Sequence, residues 1–177
     1  YGNKSKQASF EIGHTDFIKP RIEKVSSTRN TSTNKETIIF SVNDRYLDTT
    51  ADELQKTDIK VFVDGEEATT LTKESLTKLT ADATKVKETI NNNEQIVSEQ
   101  YQLVLSGFEK ARNAKNYKDW SGTVTIEVAT NVVKDTEENT SDVTTLKGDF
   151  VDFIKPDLKY VHQSADINKD GKTYTMT

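Results

Sequence analysis

The stretch Asp166-Ile167-Asn168-Lys169-Asp170-Gly171 sets oxygen-bearing side chains at alternate positions just ahead of a glycine. A loop that wraps a hard cation such as calcium begins in this way, because carboxylate and amide oxygens converge where a glycine lets the chain turn sharply. The position reserved for a closing bidentate glutamate holds Thr177 instead. Asp166, Asn168 and Asp170 therefore form a partial calcium loop, and the competing reading is a polar hairpin turning at Asp170-Gly171. Asp16 and Asp152 each open the pentapeptide Asp-Phe-Ile-Lys-Pro. They suggest a second cation position, an ion shared at a junction with Asp44 or Asp135 as partner. The plainer reading is that such aspartates accept backbone hydrogen bonds in turns.

Trp120 with Tyr117 and Phe108 has the makings of an aromatic platform for a sugar ring, and on that reading the chain is a carbohydrate-binding module. A lone Trp ahead of a strand is more often a core plug, and Tyr117 has the look of a corner tyrosine bonding back to the backbone. Lys19 and Asn139 occur in the order needed for an intramolecular Lys–Asn cross-link, although turn motifs explain both without chemistry. His14 and His162 have no nucleophile or orienting group in their sequence neighbourhoods. With no cysteine, no glycine-rich phosphate loop and no paired histidines, zinc, nucleotide and thiol chemistry lack ligands. The expectation is a chain with no catalytic and no cofactor-binding residues, calcium being the one candidate ion.

The elements that must position these residues come in a repeat. Asp16-Phe17-Ile18-Lys19-Pro20 returns as Asp152-Phe153-Ile154-Lys155-Pro156, an offset of 136 residues. In the same ungapped register Asn3 and Ser5 meet Asn139 and Ser141, Val25 meets Val161, and Thr37 meets Thr173. Matches on both sides of an identical pentapeptide indicate a tandem unit. Residues 1–15 are expected to be the last strand of a preceding repeat, residues 16–151 one complete repeat, and residues 152–177 the first strands of the next. The chain then reads as a slice of a longer array.

Inside the complete unit the apolar pattern has the period of half-buried strands. Ile38, Phe40 and Val42 alternate with polar neighbours, as do Ile59, Val61 and Val63, which run into the hairpin dipeptide Asp64-Gly65. Tyr101, Leu103 and Leu105 follow, then Val124, Ile126 and Val128 after Ser121-Gly122, then Val143 and Thr145 before Gly148. Many strands around one core predict a sandwich. One stretch differs: Leu76, Leu79, Ala83, Val86 and Ile90 are spaced as a helical stripe, which predicts a helical insertion around residues 73–91. Its many threonines favour an irregular strand instead. Asn91-Asn92-Asn93 ends either element.

The chain has 177 residues, 33% of them apolar, and 29 acidic against 24 basic side chains for a net charge of -5. That balance suits one thin core between polar faces and argues against a nucleic-acid partner. Apolar runs are too short for membrane insertion, and no secretory leader is visible. The lack of cysteine fits a reducing cytosol or a disulfide-free bacterial surface.

Tyr1-Gly2-Asn3-Lys4-Ser5 with Asp16 through Ile22, and Asp135-Thr136-Glu137-Glu138-Asn139-Thr140-Ser141 with Asp152 through Leu158, resemble the junctions of bacterial immunoglobulin-like tandem repeats. In those repeats an Asp-x-x-Gly-Asn-x-Ser turn precedes the last strand, and the next domain opens with Asp-x-x-x-Pro. The strand Ser121-Gly122-Thr123-Val124-Thr125-Ile126 fits the same pattern. Glu138 departs from it by standing where glycine is usual. The resemblance implies an all-β, immunoglobulin-like β-sandwich in a secreted or wall-attached bacterial array. Such repeats are spacers or adhesive surfaces, whose partners are the neighbouring repeats and a host or cell-wall glycan or protein. The alternative is the carbohydrate-binding module of a secreted enzyme.

Overall fold

The computed structural model describes residues 15–30, 32–51, 53–108 and 121–152. Among them are nine strands: β1 (Arg21–Asn30), β2 (Lys35–Asn43), β3 (Ile59–Val63), β4 (Glu66–Glu67), β5 (Thr72–Lys78), β6 (Val86–Ile90), β7 (Asn93–Ser106), β8 (Ser121–Val128) and β9 (Thr144–Asp152). They form two antiparallel sheets. One has the order β1-β2-β7-β5, with β6 also on β7, and the other runs β4-β3-β8-β9. The inward positions of both sheets meet in one core. Ile38, Phe40 and Val42 of β2 and Tyr101, Leu103 and Leu105 of β7 face Ile59 and Val61 of β3 and Val124, Ile126 and Val128 of β8. The described residues are thus predominantly β, and their two sheets pack as a β-sandwich.

Each expected alternation except the last has the predicted phase. In β9 the buried positions are Leu146 and Gly148, while Val143 and Thr145 are exposed. Val143 precedes the strand, and Leu146 is the larger apolar side chain that the core can take. Gly148 meets the carbonyl of Val124 so closely that a Cβ would crowd it.

The turns follow from residues that tolerate a left-handed backbone. Asp64 and Gly65 carry φ of 51° and 85° in the tight β3–β4 hairpin, as the dipeptide predicts. Asn91 and Asn92, at 51° and 63°, do the same between β6 and β7. Between β1 and β2, Asn30 Oδ1 accepts the amides of Ser32 and Thr33 at 3.0 and 3.1 Å, and Asn34 has φ 51°. The Asp64 carboxylate also accepts the Thr123 amide at 2.9 Å and lies where a side chain on residue 122 would go. This is why Gly122 stands there.

The helical insertion expected around residues 73–91 is not formed. The segment holds β5, one 3-10 turn at Asp82–Thr84, and β6. Ala83 and Val86 of the supposed stripe are exposed. The reason lies in β7, a strand of 14 residues against the 9 of β2. Its free edge offers more backbone hydrogen bonds than one short strand can take. β5 pairs with residues 101–106 and β6 with residues 93–98 of that edge. β-Branched threonines suit those ladders, so tertiary pairing overrides the local period.

The registers also fix the poles. Arg21 at the start of β1 pairs with Asn43 at the end of β2, and Ile59 at the start of β3 pairs with Val128, which pairs in turn with Thr144. Those residues define the pole at which the chain enters. Asp152 at the end of β9 pairs with Ser121 at the start of β8, at the opposite pole.

Candidate functional site

Three connections meet at the pole where the chain enters, and each contributes a buried aspartate. Asp16 lies in the segment leading into β1, and its Oδ1 accepts the Ile18 amide at 2.8 Å. Asp44 follows β2; its own amide donates to the Val97 carbonyl at 3.0 Å and its Oδ1 accepts the Tyr46 amide at 2.7 Å. Asp135 sits in the β8–β9 connection. Its Oδ1 accepts the amides of Glu137 and Asn139, both at 2.8 Å, and its Oδ2 accepts Asn139 Nδ2 at 2.7 Å. Asp-type turns of this kind hold a carboxylate over its own following backbone.

The connections are stitched to one another. Leu47 bridges Asp135, the Thr136 amide donates to Tyr46 O at 2.8 Å, and Asn139 Nδ2 donates to Asp16 O at 2.8 Å. One carboxylate oxygen from each of Asp16, Asp44 and Asp135 lies within 4.8 Å of the others. The sequence offered Asp44 or Asp135 as partner to Asp16, and the structure brings both. Asp152 is not among them, since its backbone lies at the opposite pole.

Electrostatically the cluster is costly. Burial pushes the Asp44 carboxyl above its ordinary range, and the nearby charges of Asp135 and Asp16 push in the same direction, against the lowering effect of the Tyr46 amide. A carboxylate whose pKa is higher in the folded chain than in the unfolded one subtracts from stability at neutral pH. That penalty disappears as pH falls below the unfolded value. Asp44 Oδ2 is fully buried and has no hydrogen-bond partner among the described residues.

The turn carrying Asp135 explains the departure at Glu138. Its φ is 64°, the left-handed conformation in which glycine is usual, so the turn keeps its shape with a strained residue. An L-residue there costs about 1–2 kcal/mol, partly offset by the roughly 0.5–1 kcal/mol that glycine loses through extra freedom in the unfolded chain. Glu138→Gly is expected to raise stability by about 0.5–1 kcal/mol over Glu138→Ala, read from denaturation midpoints. Alanine removes the exposed Lys134–Glu138 ion pair but keeps the strained backbone, so it is the proper reference. A glycine variant less stable than the alanine one would contradict the assigned geometry.

Other candidate residues fare differently. Phe108 is buried in the core, which removes it from any exposed sugar platform. Trp120 and Tyr117, the loop of Asp166, Asn168 and Asp170, and both histidines lie outside the described residues. Lys19 is exposed and paired with Asp142 at 2.6 Å, while the Asn139 amide is spent on Asp135 and Asp16, so no cross-linking pair is assembled from them. Two buried acids escaped the sequence reading. Glu36, bonded to Ser27, shares the inward parity of Ile38 and Phe40; Glu99, paired with Lys78 at 2.6 Å, shares that of Tyr101 and Leu103. A charge in phase with an apolar alternation was the available signal. Among the described residues no helix is long and apolar enough to cross a membrane. No family model, no curated protein and no solved structure matches the chain.

Proposed function

We propose that the chain is a non-catalytic, immunoglobulin-like repeat of a bacterial surface protein, serving as a spacer that carries load or presents an adhesive surface. The observation that carries this reading is the placement of the start of β1 and the end of β9. β1 begins at one pole of the sandwich and β9 finishes at the other. A unit entered at one pole and left at the opposite one strings head to tail, as the 136-residue repeat requires.

Strand order supports the immunoglobulin-like assignment. β1-β2-β7-β5 opposite β3-β8-β9 corresponds to the orders A-B-E-D and C-F-G of a constant-type immunoglobulin sandwich, with β4 and β6 as additions. Phe17 and Ile18, 81% and 61% exposed, lie where the preceding repeat would abut and give it an apolar contact. The partners on this reading are the neighbouring repeats and a host or cell-wall glycan or protein, at the surface of the cell.

Force applied between the poles runs along β1 and β2, across whose ladder the hydrogen bonds lie perpendicular to the strands. They are loaded together in shear rather than opened one at a time. Stretching residues 1–177 by their ends in a single-molecule instrument is therefore expected to give one cooperative rupture with a length gain on the order of 40 nm. Unravelling in several weak steps would overturn the load-bearing role. A sugar-dependent rise in Tm that Trp120→Ala abolishes would replace the spacer with a carbohydrate-binding module.

A further inference from the structure

We propose that Asp16, Asp44 and Asp135 bind a divalent cation, calcium by the chemistry of the site, and so tie the incoming segment to the two connections at its pole. Three carboxylates gathered without a cation would repel one another. Here they are also buried, with Asp44 only 7% exposed and Asp135 fully enclosed. Hydrogen bonds do not resolve the repulsion. The backbone amides that hold Asp16, Asp44 and Asp135 fix where the oxygens point, and Asn139 adds one amide group for Asp135.

Asp44 Oδ2 is the independent sign of a missing partner. It is inaccessible to solvent and unpaired among the described residues, beside the like charges of Asp135 and Asp16. A buried acceptor left unsatisfied is rare in folded proteins, and an anionic one more so. A cation supplies what hydrogen bonding does not.

The donor set selects the ion. All three ligands are hard carboxylate oxygens, with no imidazole or thiolate to favour zinc or copper. Oxygens within 4.8 Å of one another can share one sphere around calcium, whose ligands stand at about 2.3–2.6 Å and so at most roughly 5 Å apart. Magnesium asks for a tighter shell with near-octahedral geometry. Each ligand comes from a different segment, residues 15–20, the β2–β3 connection and the β8–β9 connection, so binding closes two long loops at once. The site itself stands without the spacer reading, and only its effect on an array depends on that reading. A chain that binds calcium yet fails the stretching test would lose the spacer and keep the site.

The test melts residues 1–177 in EDTA and then in calcium chloride or magnesium chloride, with calorimetric titration of calcium into the EDTA-stripped, dialysed protein. At a hundredfold excess of calcium over Kd the wild-type Tm is expected to rise by roughly 5–10 °C, with a smaller rise for magnesium. Asp44→Asn is expected to lose the calcium response while melting in EDTA at or above the wild-type temperature, because it removes a buried like charge. A merely structural role for Asp44 would lower that EDTA value. Asp16→Asn, which lies ahead of the first strand, should also lose the response without disturbing the sheets. Asp170→Asn should keep it. No response of the wild type to millimolar calcium would overturn the proposal. So would a response that survives in Asp44→Asn and Asp16→Asn but disappears in Asp170→Asn, since the ion would then belong to the loop of residues 166–171.

Discussion

Phe40→Ala should destabilise the sandwich by about 3–5 kcal/mol, the range for removing an aromatic side chain from a closed core. Phe40 is wholly buried at the centre of β2 and stacks on Tyr101 of β7, with ring centroids 5.8 Å apart and planes 12° from parallel. Ile38, Val42 and Leu103 surround it in the same cluster. Truncation would forfeit its transfer free energy and leave a cavity that two hydrogen-bonded sheets cannot collapse to fill. A domain of this size has a total stability of about 5–15 kcal/mol, so Tm should fall on the order of 10–20 °C. Val25→Ala, on the half-exposed face of β1, should stay within about 0.5 kcal/mol and serves as the comparison. A Phe40→Ala loss below about 1 kcal/mol would mean that the sheets do not close over β2 as described.

The second large effect concerns a charge. Lys78 at the end of β5 reaches Glu99 of β7 at 2.6 Å, with the two side chains 16% and 5% exposed. The pair lines one small cavity with Leu47, Leu54, Val133 and Tyr101, whose phenol is pushed up to about 12 first by burial and then by the Glu99 charge. Lys78→Met would keep the apolar stem and strip Glu99 of its counter-charge. A buried carboxylate left this way costs about 3–5 kcal/mol, toward the lower end here because Lys78 retains some solvent contact. Adding Glu99→Leu to that variant should recover most of the loss, since an apolar pair in the same place is often neutral or better. The measurement is a double-mutant cycle by chemical denaturation. If the double variant were as unstable as Lys78→Met alone, the loss would come from packing around β5 and not from the stranded charge.

Much of the architecture was legible in the chain because sheet burial repeats every second residue. The alternations at Ile38-Phe40-Val42, Tyr101-Leu103-Leu105 and Val124-Ile126-Val128 each name the strand and its inward face. Asp64-Gly65 named its hairpin for a local reason, the positive φ that few residues accept. The stretch from Leu71 to Ile90 could not be read so. Its local spacing suits a helix, while its actual partner is an edge of β7 that follows later in the chain. The phase of β9 was missed because Val143, which precedes the strand, set the expected parity, whereas the core takes Leu146, of the opposite parity.

For the site, the sequence offered Asp16 and Asp152 with Asp44 or Asp135 as partner, and the structure gathers Asp16, Asp44 and Asp135. Asp16 and Asp135 stand in junction motifs, and Asp44 closes an alternating strand, so all three were visible as turn aspartates. Whether they repel at a distance, solvate separately or share one buried point depends on contacts between residues 28 and 119 positions apart. Only the closing of the two sheets brings the incoming segment, the β2–β3 connection and the β8–β9 connection to one pole. Burial there then strips water from Asp44 and turns three ordinary turn carboxylates into a strained anionic group. Sequence period fixes which side chains face inward, since parity is local. Which of them meet is decided by strand order and register, since those are properties of the whole chain.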